Sequence, residues 1–159
     1  MAKAGYSTST EGAVALAAAT AKSILGVKSH ANFGLDLRAL SVGFDGVSAS
    51  AVPVLVELLY CTWATNSPGT ASTLTTIRQN YGRVIAAGAT AGKTWTTEPT
   101  VLTMVGDPGE FLLTPNAGLI VIRFPPGEGA DCALAEGFVI RCTAPAVVNV
   151  RASLAFERC

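Results

Sequence analysis

Apolar and polar residues alternate in short runs along this chain, and the period is two rather than 3.6. The clearest run lies near the end. From Val147 to Glu157, Val148, Val150, Ala152, Leu154 and Phe156 fall on one side, and Val147, Asn149, Arg151, Ser153, Ala155 and Glu157 on the other. Successive strand side chains point to opposite faces, so this stretch predicts a strand with one face in a core and one more polar. Asn32 to Asp45 behaves alike but changes phase: Leu35 and Leu37 share one register, Leu40, Val42 and Phe44 the other. A β-bulge near Arg38-Ala39 produces that switch, because one extra residue exchanges the faces. Asp45-Gly46 then makes a turn. Val52 to Trp63 is apolar on both faces, which predicts a central strand covered on both sides. Pro53 must sit near its start, since proline cannot donate to a ladder.

The same reading predicts short strands at Val14–Leu16 and Ile24–Val27, although the alanines of Ala13 to Leu25 also favour helix. Ala64 to Thr76 is the longest polar loop, with turn chemistry at Asn66-Ser-Pro-Gly69. Ile77 to Ala87 predicts a strand and Gly88 to Lys93 a loop. Thr94 to Val105 resumes β character. Glu110 to Leu113, Gly118 to Phe124 and Glu136 to Thr143 complete the set before the closing strand. About eight strands with Gly/Pro punctuation and no amphipathic helix predict an all-β, two-sheet β-sandwich, jelly-roll-like in its crossings. Residues 1–12 read as a flexible N-terminal arm, and 13–159 as a single β-sandwich domain.

Composition sharpens this picture. Half of the 159 residues are apolar and only 14% are charged, against roughly a quarter charged in an ordinary soluble domain. That shortage predicts a surface partly covered by partners, copies of the chain itself among them. Net charge is zero, with eleven basic and eleven acidic residues spread thinly, which speaks against direct nucleic-acid binding. No apolar run approaches the ~20 residues needed to cross a bilayer. Gly12 to Ala21 lacks the basic lead of a secretion signal and is followed at once by Lys22. Cys61, Cys132, Cys142 and Cys159 show no zinc spacing, and outside an oxidising compartment they read as reduced thiols.

The residues for chemistry are few. His30, the only histidine, stands in the predicted loop Lys28-Ser-His-Ala-Asn32 and reads as a surface or packing residue rather than a general base. Glu98, Asp107, Glu110, Glu128 and Asp131 read as solvated loop carboxylates rather than a glycosidase pair. Gly127-Glu-Gly-Ala-Asp131 matches neither a phosphate loop nor an EF-hand. No catalytic residue, cofactor site or metal site is expected. Trp63 and Trp95 flank long loops, so they are the candidate exposed aromatics for stacking on a sugar. Arg38, Arg78, Arg83, Arg123, Arg141 and Arg151 all fall within predicted strands. Because arginine is enriched at protein interfaces, Arg38, Arg123, Arg141 and Arg151, with Glu57 and Glu157, are the candidate subunit contacts.

Four segments carry a resemblance: Val27-Lys-Ser-His-Ala-Asn-Phe-Gly-Leu-Asp-Leu37, Phe44-Asp-Gly-Val-Ser-Ala-Ser-Ala-Val-Pro-Val-Leu-Val-Glu-Leu58, Thr94-Trp-Thr-Thr-Glu-Pro-Thr100 and Phe156-Glu-Arg-Cys159. They resemble the capsid decoration (cement) proteins of tailed phages of actinobacteria, over most of the chain. The resemblance implies a β-sandwich, commonly a homotrimer, made in the host cytoplasm. It would sit on the outside of the virion head at junctions of the major capsid protein. It carries over no catalytic residue. The alternatives are another phage structural β-domain, of tail or minor capsid, and a carbohydrate-binding module.

Overall fold

The computed structural model describes residues 4–45, 52–82 and 84–159. In chain order its strands are β1 (Gly5–Ser9), β2 (Val14–Leu16), β3 (Ala21–Lys28), β4 (Leu35–Asp45), β5 (Val54–Cys61), β6 (Thr73–Thr75) and β7 (Ile77–Tyr81). They continue with β8 (Thr90–Lys93), β9 (Leu102–Met104), β10 (Glu110–Leu113), β11 (Ile120–Arg123), β12 (Asp131–Cys132), β13 (Gly137–Thr143) and β14 (Val148–Arg158). A single 3-10 turn, Pro115–Ala117, is the only helical segment among the described residues.

These strands form the expected two-sheet sandwich, with seven strands in each sheet. The first sheet runs β11-β4-β14-β1-β7, with β12 beside β4 and β2 beside β14. The second runs β10-β5-β13-β3-β8-β6, with β9 beside β5. The chain crosses between sheets repeatedly, and the core lies between them. Val54, Val56, Leu58, Phe138 and Ile140 from one sheet meet Leu35, Leu37, Leu40, Val42, Leu154 and Phe156 from the other. Burying each such side chain contributes about 1.5–3 kcal/mol.

The phase switch in β4 has the predicted cause. Ala155 pairs with Ala39 and Phe156 with Leu37, so Arg38 is the extra residue of a bulge. On either side of it, Leu37 and Leu40 both reach the core. β14 alternates as predicted, with Val148, Val150, Ala152, Leu154 and Phe156 all buried. Pro53 stands just before β5, which is flanked by β10 and β13 and so is central.

The expected arm over residues 1–12 needs correcting. From Gly5 to Ser9 the chain is a strand inside the first sheet, between β14 and β7. Tyr6 is fully buried, stacks on Phe156 at 5.9 Å, and donates its hydroxyl to the Ile85 carbonyl at 2.7 Å. Thr8 and Thr10 are buried on the same alternation. Their hydroxyls made the segment read as solvated, yet Thr8 bonds Thr75 and Thr10 accepts from the Ala152 N–H.

The strand count also differs, because short strands hide in apparent loops. Thr90–Lys93 is β8, paired with β3 and β6, where Ala91 is small enough to enter the core. β6 lies inside the polar stretch 64–76. The predicted strand from Ile77 ends at Tyr81, and only Leu102–Met104 of Thr94 to Val105 is strand. The turn at Asp45-Gly46 and the arginine at 83 lie at or beyond the edge of the described residues.

Candidate functional site

Two apolar clusters result from this fold. The smaller one lies on the outer face of the second sheet and is made of Cys61, Trp63, Trp95 and Val139, with Leu102 packed against it. Its floor is strand backbone. A β-carbon on Gly26 would lie 2.9 Å from Trp63 Cη2 and 3.0 Å from Trp95 Cη2, so the glycine of β3 makes room for both rings. The indoles stack at 5.8 Å, and Trp95 donates its Nε1–H to the Asn66 carbonyl at 2.8 Å, pinning the 64–72 loop over the sheet.

Trp63 and Trp95 are therefore not exposed aromatics. They are 5% and 2% exposed and unavailable for stacking on a sugar. The second apolar face of β5 needs a cover to leave water, and the two loops bearing these indoles provide it.

The candidate contact residues find partners within the chain. Arg141 and Glu57 are directly opposite on β13 and β5, joined by two bonds of 2.8 Å from Nε and Nη2. This bidentate bonding to Glu57 raises the already high arginine pKa. Arg38, at the bulge and on the outer face, lies 3.7 Å from both Glu157 and Asp36 and donates to the Pro125 carbonyl. Glu157, although on the outer face of β14, is buried beneath Tyr81, whose hydroxyl it accepts. That bond, with burial second, raises the Tyr81 pKa. Arg151 pairs with Asp45 across β14 and β4. Arg123 alone of this set stands exposed on β11 with no ion pair among the described residues.

Sequence reasoning missed Tyr81, Asp36, Asp45 and Glu98. Asp36 shares a face of β4 with Arg38 by simple alternation; the other three depend on which strand or loop lies beside which, information that a single strand's alternation does not hold. Glu98, read as a solvated loop carboxylate, accepts from both the N–H and the hydroxyl of Ser23.

The surface of the described residues carries open grooves. One of about 710 Å³ is bordered by Leu16, Lys22, Trp95, Glu98 and Val147. Its polar groups are already engaged: the Lys22 ammonium donates to the Ala15 carbonyl at 3.2 Å, and Glu98 is held by Ser23. A second groove of about 500 Å³ crosses the outer face of the first sheet between Tyr81 and the wall of Leu119 and Val121. Its floor is Ala39, Ser41, Ser153 and Ala155.

His30 is exposed, stacked on Phe33 at 5.2 Å, with Nδ1 accepting from the Asn32 N–H. Ser29 is bonded to backbone carbonyls instead. The described residues hold no group of three His, Cys, Asp or Glu side chains arranged to bind a metal. None of the four cysteines is in a disulfide, and burial pushes the thiols of Cys61 to about 11 and of Cys132 and Cys142 to about 12. Such thiols are poor nucleophiles. Comparison of this chain with family models, with curated proteins and with solved structures gives no match.

Proposed function

We propose that this chain is a structural protein of a phage particle: a capsid decoration (cement) protein that binds the outside of the head, contacts the major capsid protein and stabilises the shell. The observation that carries this reading is the surface. A two-sheet sandwich with little charge pairs Arg38, Arg141 and Arg151 within the chain and leaves Leu112, Leu119, Val121 and Val147 more than half or nearly half exposed. Apolar side chains in that position serve lateral contacts with other proteins. The four-segment resemblance supplies the particular partner, and with it a trimer as the family's usual form. A protein that binds only the assembled shell stabilises it by mass action, with no pocket or cofactor required.

The test is reconstitution. Heads assembled without this protein are mixed with the purified chain, pelleted, imaged by cryo-EM and heated until they release DNA. Density outside the shell at capsomer junctions and a higher release temperature are expected. Intact heads that bind none of it overturn the proposal, and density on the tail assigns the chain to another structural part of the particle.

A further inference from the structure

Two sheet edges lie open on one side of the sandwich. On the other side the outermost strands, β6 and β7, are joined through Thr76 alone, which stacks those two edges. The far ends of both strand orders, β10 and β11, therefore share the remaining side, linked by residues 114–119.

Backbone bonds show which way each edge residue points. The Gly109 carbonyl accepts from Leu58 at 2.8 Å, and the Phe124 N–H donates to the Arg38 carbonyl at 2.9 Å. Bonded and non-bonded pairs alternate in an antiparallel ladder. Phe111 and Leu113 thus bond to β5, and Ile120 and Ile122 to β4. The N–H and C=O groups of Glu110, Leu112, Val121 and Arg123 point away from their sheets, with no other backbone partner among the described residues.

The side chains of those four residues are on the outer faces. Leu112 is 65% and Val121 49% exposed, and Glu110 and Arg123 are exposed and in no ion pair among the described residues. Neither strand has the lysine, proline or bulge with which natural edges discourage pairing. The β7 edge differs, since its Arg78, Gln79 and Asn80 are all exposed and polar.

We propose that two copies of this chain join side by side about a two-fold axis parallel to the strands, with β10 of each copy adding to β11 of the other. Such an axis exchanges the two sheets and preserves height along the strands, so residues level within one copy meet across the interface. In this union the end of β10 is level with the start of β11, as their link through the 3-10 turn permits. Glu110 then stands opposite Arg123 of the second copy, Leu112 opposite Val121, and Phe111 opposite Ile122. Opposite charges meet, apolar meets apolar, and outward-bonding residues meet outward-bonding residues as a ladder requires.

Phe111, Ile120 and Ile122 are only partly buried in one copy, and this union covers them. Pairing β11 with another β11 would leave both Glu110 and Arg123 without a partner, which is why the mixed pairing is favoured. The interface is isologous, so it closes as a dimer.

This proposal stands apart from the virion reading, and its symmetry differs from the trimer that the resemblance implies. Sedimentation equilibrium of the purified chain over a concentration series separates the two. The expected mass is twice the 16.2 kDa of one chain. Arg123→Glu and Glu110→Arg should each weaken the dimer about tenfold, and the double exchange should restore it to within about threefold of wild type. Hydrogen exchange at the Leu112 and Val121 amides should slow as the dimer forms. A single-chain mass at every concentration, a threefold mass, or a double variant no tighter than the singles overturns it.

Discussion

Arg141 and Glu57 face each other across neighbouring strands of the second sheet, guanidinium to carboxylate, with two bonds of 2.8 Å. Glu57 is 7% exposed, so the arginine is what makes a buried carboxylate tolerable at the centre of that sheet. Arg141→Ala should therefore destabilise more than the loss of an ordinary surface pair. Losing one partner of a fully buried pair costs about 3–5 kcal/mol, and the partial exposure of Arg141 reduces this to roughly 2 kcal/mol. The double replacement Glu57→Leu with Arg141→Met should unfold at higher urea than Arg141→Ala, because it leaves no unpaired charge. Urea titrations of the three proteins check this, and a double variant weaker than the single one contradicts it.

The indole pair makes a sharper demand on one position. Gly26 has an ordinary strand conformation, so only space keeps it glycine. Gly26→Ala puts a methyl group about where Trp63 and Trp95 already are, an overpacking that costs about 1–3 kcal/mol. The displaced rings should also meet water, which moves tryptophan emission to longer wavelength. A variant with wild-type stability and unshifted emission would show that the cluster does not rest on this glycine.

A third prediction concerns the first strand. Tyr6 packs on Phe156 and reaches Ile85, so Tyr6→Ala should cost about 3–5 kcal/mol, as for other large aromatic truncations in a core. A flexible arm would give a change near zero. Thermal unfolding followed by circular dichroism distinguishes the two outcomes.

The sequence made the architecture legible where a strand has one apolar face. β14 shows it in the run Val148 to Phe156, and β4 shows even its bulge, because an extra residue at Arg38 changes which positions are apolar. It hid strands whose inward residues are small or hydroxylated. β1 shows Tyr6 and Thr8, with Thr10 just beyond it, and β8 shows Ala91 and Gly92, and such residues signal burial only once their neighbours are known. Arg38, Arg78, Arg123, Arg141 and Arg151 do lie in strands, but their partners were not all legible. Asp45 lies 106 positions from Arg151, and Tyr81 lies 76 from Glu157. Trp63 and Trp95 misled because the ends of strands and the starts of loops are usually wet; here the loops fold back over the sheet and seal both rings. The β10–β11 edge was hidden for a related reason, since being an edge is a property of the sheet order and of no single strand.

Tyr81 offers a prediction in pH. Its phenol donates to Glu157, and that bond, followed by burial and the Glu157 charge, raises its pKa above the usual 10. A group whose pKa is raised on folding is stabilising in its protonated form. That contribution is complete below about pH 10 and is lost as pH climbs through the folded value. Absorbance of the phenolate near 295 nm should therefore show tyrosine ionising later in folded protein than in urea, and Tyr81→Phe should reduce that late component while leaving the share of Tyr60, whose pKa is also raised, chiefly by burial. Glu157→Gln takes away the charge while keeping an acceptor, so it should bring the titration back toward 10. A late component of undiminished amplitude in Tyr81→Phe would show that the Tyr81–Glu157 bond carries no measurable weight.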